Sequence, residues 1–175
     1  GSTATGRMIA TEAARLGKRV TLEMGGKNAI TVMDDANLDL AVEAILWSAF
    51  GTTGQRCTAA SRLLVHRAVV DELMERLAEG AQRLKLGNPL HDDTKVGPIV
   101  NEKQLKRVHG YVEIGRQEGA QLVCGGEIAR EGALADGYFY RPTLFAKVTP
   151  DMRIAREEIF GPVAVIIPID SLDEA

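Results

Sequence analysis

The chain has 175 residues, a length that suits one domain with a substantial core. Hydrophobic content of 45%, charged content of 26% and a net charge of −3 exclude a disordered or fibrous chain and argue against a nucleic-acid or anionic-membrane partner. No apolar run approaches the roughly 20 residues that span a bilayer, and Gly-Ser-Thr-Ala-Thr-Gly-Arg is not a signal-peptide start.

In chain order, residues 3–16 read as a helix, with Met8, Ile9, Ala13 and Leu16 on one side and Gly17 as a stop. Its Gly1-Ser2-Thr3 opening combines free amides with hydroxyls, which suits either a phosphate or a plain N-cap. Residues 19–24 and 29–33 read as short strands, separated by Gly25-Gly26-Lys27. Glu23, at the mouth of the first strand, suits a cleft as well as a solvated turn. Asp34, Asp35 and Asn37 precede a helix over 38–50 that is apolar on nearly all sides and should be mostly buried.

Further strands are expected at 62–66, 121–124 and 163–169, and amphipathic helices at 69–86 and 101–119. In the first of these helices Val70, Leu73, Leu77, Ala81 and Leu84 should face inward. Residues 91–98 and 127–149 read as loops, the second with edge strands around Pro142. Residues 172–175 look like the first turn of another helix. This alternation predicts an α/β layer with a largely parallel sheet.

The chemistry concentrates at Gly51-Thr52-Thr53-Gly54-Gln55-Arg56-Cys57. A nucleophilic cysteine needs an exposed, electropositive or amide-lined setting. Gly51 and Gly54 permit positive φ and close approach to a ligand, and Arg56 is an adjacent cation. Composition alone also allows Cys57 to be a small buried hydrophobe, the commoner fate of a free cysteine. Cys124, on a short strand, reads as core. The two cysteines are far apart and match neither a zinc site nor a redox pair, so no metal is expected and a reducing, cytoplasmic compartment is. His66, His91 and His109 read as surface or packing residues.

Taken together, Gly1-Ser2-Thr3 with Gly6-Arg7, Leu22-Glu23-Met24-Gly25-Gly26-Lys27, Gly54-Gln55-Arg56-Cys57 and Glu157-Glu158-Ile159-Phe160-Gly161-Pro162-Val163 resemble the aldehyde dehydrogenase superfamily. Gly97-Pro98-Ile99 and Arg141-Pro142-Thr143-Leu144 extend the likeness over essentially the whole chain, and the interval from Glu23 to Cys57 is similar to the family's own. The resemblance implies the three-layer α/β catalytic domain of that family. Residues 1–26 would be the end of a cofactor-binding domain, and 27–175 a catalytic domain incomplete at its C-terminus.

It further implies oxidation of a small-molecule aldehyde with NAD or NADP, through a thiohemiacetal and a thioester on Cys57, with Glu23 as general base. The Cys57 amide would be an oxyanion donor. Ser2, Gly1 and Gly25 would lie at the cofactor, Glu158 at the nicotinamide ribose and Phe160 near the nicotinamide ring. The full-length family forms homo-oligomers, and the context around Cys57 looks like members acting on small or semialdehyde substrates. The family's upstream oxyanion-hole asparagine and the first strands of its dinucleotide fold have no counterpart here, so the resemblance implies a fragment with little or no turnover. Two other readings are a non-catalytic module that self-associates, and a cofactor-independent thioester or ester hydrolase using Cys57.

Overall fold

A computed structural model describes residues 1–175. Strand β1 (Asn28–Val32) leads through α2 (Leu38–Phe50) to β2 (Ala60–His66), after α1 (Thr3–Arg15) has opened the chain. Then follow α3 (Val70–Arg83), α4 (Glu102–Gln117), β3 (Gln121–Cys124), a 3₁₀ turn at Gly132–Asp136, β4 (Thr143–Ala146), α5 (Arg153–Arg156) and β5 (Val163–Ile169). The five strands form one sheet in the order β1-β2-β5-β4-β3. Every pairing is parallel except that of β3 with β4, as the alternation of helix and strand predicts.

Side chains on neighbouring strand positions point to opposite faces, so β5 feeds two cores. Val163, Val165 and Ile167 pack with Leu105, Val108 and Val112 of α4, whereas Ala164 and Ile166 pack with Phe50 of α2 and Leu73 and Leu77 of α3. The inward positions expected in α3 hold: Leu73, Leu77 and Ala81 are buried, and Val70 and Leu84 are partly so. Cys124 lies in the core, where desolvation pushes its thiol pKa up. No helix is long and apolar enough to cross a membrane.

Five expectations need correction. Residues 19–24 form no strand, because an extended segment becomes one only when a neighbour takes up its amides and carbonyls, and no strand lies beside it. The apolar side of α1 is not covered either: Met8, Ile9 and Leu16 are exposed, and Gly6 is the helix's one buried residue. In α2 the sheet and α3 cover one side only, leaving Leu40 and Trp47 exposed. Strand β4 is not at an edge but sits between β3 and β5; all four of its residues are buried, as expected of a strand covered on both faces. Residues 172–175 form a turn and no helix.

Candidate active site

The cysteine loop crosses from α2 to β2 and is fastened on three sides. Thr53 donates from Oγ1 to the Gly97 carbonyl at 3.0 Å. Gln55 donates to the Pro98 carbonyl and accepts from the Val100 amide at 2.9 Å. Asn28, at the start of β1, donates from Nδ2 to the carbonyls of Cys57 and Ala59. A loop held this way presents a fixed backbone, and Cys57 itself is exposed. That exposure decides against the small-hydrophobe reading.

Gly54 is the residue the loop cannot exchange. Its φ is 64°, and a Cβ there would lie 2.0 Å from the carbonyl oxygen of Gly161. The preceding Thr53 already has φ 58°. Gly54→Ala combines left-handed strain with a backbone collision, so it should cost at least about 1–3 kcal/mol. The check is thermal unfolding, and an unchanged midpoint would contradict the close approach of the two loops. Gly51, by contrast, has φ −59° and does not use the positive φ expected of it, although a Cβ there would lie 2.6 Å from the Trp47 carbonyl oxygen. Arg56 is also redirected: its guanidinium stacks over the Trp47 ring at 4.4 Å.

Opposite the cysteine loop stands the turn before β5. Glu157 accepts two hydrogen bonds from Arg153 and one from the Tyr111 hydroxyl at 2.6 Å. These donors, Arg153 first, hold its carboxyl at about 2, well below the ordinary 4.5. A depressed folded value means that this contribution to stability is present above the ordinary carboxyl value and is lost as pH falls from 4.5 towards about 2. The side chain remains 41% exposed, so solvent screens the effect. Acid unfolding followed by circular dichroism should therefore be flatter across that window in Glu157→Gln than in the parent chain; identical profiles would remove the ion pair from the acid response.

Gly1, Ser2, Glu23, Met24, Gly25, Cys57, Gln104, Arg107, Glu158 and Phe160 surround a single cleft of about 490 Å³. All seven positions singled out in the sequence therefore line one space: Cys57, Glu23, Ser2, Gly1, Gly25, Glu158 and Phe160. The segment before β1 reaches the cleft because α1 closes on it at Gly6, where a Cβ would lie 2.4 Å from the Met24 sulfur. The Gly1 amino group donates to the Glu23 carbonyl at 2.7 Å. Ser2 caps α1, its Oγ accepting from the Thr5 amide at 3.2 Å, and the helix has no acidic residue in its first turn. At Gly25 a Cβ would stand 2.0 Å from Glu158 Oε2, so the missing side chain makes room for that carboxylate.

Gln104 and Arg107 were not legible as site residues, since an amphipathic helix offers polar side chains to solvent all along one face. Lys27 follows the Gly25-Gly26 pair and does not line the cleft, and its ammonium is buried and unpartnered. Desolvation, followed by the nearby Arg62 cation, lowers its pKa to about 8 against the opposing pull of Glu158 and Glu157. None of the three histidines lines the cleft, and no group of three or more His, Cys, Asp or Glu side chains is placed to hold a metal ion.

The Aldehyde dehydrogenase family model matches residues 1–175. The chain belongs to the aldehyde dehydrogenase family. It is 43% identical over its whole length to the alpha-ketoglutaric semialdehyde dehydrogenase of Bacillus subtilis, covering 36% of that protein. It is 42% identical over 174 residues to the betaine aldehyde dehydrogenase of Brucella anthropi, covering 99% of this chain and again 36% of that one.

Among solved aldehyde dehydrogenases, the NAD-dependent enzyme of Sinorhizobium meliloti superposes with a TM-score of 0.94 at 44% identity, over 99% of this chain and 34% of that one. The betaine aldehyde dehydrogenase of Staphylococcus aureus, solved in complex with NAD+, gives 0.96 at 34% identity over the same shares. The chain thus spans about a third of the length of these relatives, and its α/β fold with a largely parallel sheet is theirs.

Proposed function

We propose that this chain carries the catalytic centre of an NAD(P)-dependent aldehyde dehydrogenase, with Cys57 as nucleophile and Glu23 as general base. The observation that carries the reading is the single cleft that collects an exposed cysteine, a glutamate and a helix N-terminus. Its residues fit a dinucleotide. The N-terminus of α1, capped by Ser2 and free of acidic side chains, suits an anionic diphosphate. Glu158, in the space that Gly25 leaves, suits sugar hydroxyls, and Phe160 offers a ring to a planar group. In this reading residues 1–26 close the cofactor-binding domain and residues 27–175 belong to the catalytic one.

The Cys57 thiolate adds to the aldehyde carbon, forming a C–S bond and a thiohemiacetal oxyanion that the Cys57 amide helps to hold. Bound NAD(P) supplies the acceptor for the hydride that leaves this carbon. The acyl group then remains on Cys57 as a thioester. Glu23 takes one proton from water as the water oxygen attacks the thioester carbon, and the C–S bond breaks to leave Cys57 as thiolate. The acid product departs as carboxylate after its own proton and the one held by Glu23 pass to solvent.

The test is reduction of NAD and of NADP with a panel of aldehydes that includes betaine aldehyde and alpha-ketoglutaric semialdehyde, in the intact polypeptide that carries this chain. Reduction with at least one aldehyde is expected, and reduction with none would sink the proposal. The hydrolase reading requires a base beside Cys57 that works without cofactor. Its usual provider, histidine, does not reach the cleft.

A further inference from the structure

Helix α4 holds the turn that carries Glu158 and Phe160 by its main chain. The two hydrogens of Gln104 Nε2 go to the carbonyls of Ile159 and Phe160, each at 2.9 Å. One helical turn further on, Arg107 Nη2 donates to the Glu158 carbonyl at 2.7 Å. Three consecutive carbonyls are thus taken up by two side chains on one face of one helix. The turn needs such a hold, because Phe160 has φ 58°, a conformation costly for a residue with a large side chain.

Gln104 is itself fixed at the start of α4, where its amide donates to the Asn101 side chain at 2.9 Å. Its two donors, with no charge, match two carbonyls that a methionine could not satisfy and a carboxylate would repel. With the carbonyls drawn to α4, the side chains of Glu158 and Phe160 are left to line the cleft.

We propose that Gln104 is a positioning residue: its carboxamide locks the main chain of residues 159–160 and so sets the direction in which Glu158 and Phe160 meet the cofactor. This rests on the dehydrogenase reading for the identity of the ligand, but not for the lock itself.

The lock can be read without cofactor or turnover. Chymotrypsin under native conditions should cut after Phe160 about tenfold faster in Gln104→Met than in the parent chain, the effect of losing two hydrogen bonds. Gln104→Lys, which retains N–H donors, should restore most of the resistance. Alkylation of Cys57 by iodoacetamide should proceed at the parent rate in both variants, which shows that the fold and the cysteine loop are intact. In the intact polypeptide, Gln104→Met should raise the Kd for NAD or NADP by about tenfold and leave KM for the aldehyde unchanged.

Equal cleavage rates would overturn the lock. Faster cleavage with unchanged cofactor affinity would overturn its role in presenting Glu158 and Phe160, and equal losses in cofactor and aldehyde binding would reduce it to general stability. A parent enzyme that binds neither cofactor would refute the dehydrogenase reading, while the cleavage rates still decide the lock.

Discussion

In the intact polypeptide, Cys57→Ala is expected to lower aldehyde-dependent NAD(P) reduction by about 10⁴-fold or more, because the proposed mechanism runs the whole oxidation through a covalent bond that alanine cannot form. No second thiol can take over. Cys124 is buried on β3, desolvation raises its pKa, and it does not line the cleft. Nor is the loss expected to come from unfolding: Cys57 is exposed, and the loop is held by Thr53, Gln55 and Asn28 through contacts that do not involve the sulfur. Initial rates alongside thermal unfolding make the comparison. A variant with an unchanged melting midpoint and more than a few per cent of parent activity would rule Cys57 out as the nucleophile.

In the same proposed mechanism, Glu23→Gln should separate acylation from deacylation. Glutamine keeps the size of the side chain but cannot accept the proton of attacking water, so deacylation should slow by about 10²–10⁴-fold. Acylation does not need this base, and one equivalent of reduced cofactor should still appear in a burst. Mass spectrometry of the quenched enzyme should then find the acyl group on Cys57. A slow steady state with neither burst nor adduct would place Glu23 in another step.

The most local features were the most legible. The unbroken apolar run of β5 marks a strand covered on both faces, and the 3.6-residue pattern of α3 marks its one buried face. Seven candidate site residues could be named through the family resemblance carried by four short stretches of sequence, and all seven line the cleft. Where sequence reading failed, the missing information was the neighbour. Residues 19–24 have strand composition, but pairing is not a property of one segment. Likewise β4 resembled an edge beside Pro142 until β3 and β5 bracketed it.

The amino-acid order therefore determined the helix cap at Ser2 and the α/β class, which depend on residue chemistry and periodicity. Through the family resemblance it named the Cys57 loop and the glutamate beside two glycines as candidates. The tertiary structure alone decided that Cys57 is exposed rather than core, that Arg56 turns to Trp47, and that Gln104 reaches the carbonyls of residues 159 and 160. Those outcomes depend on which surfaces meet across 9 to 56 positions of chain, and burial and hydrogen-bond partners are fixed only when they do.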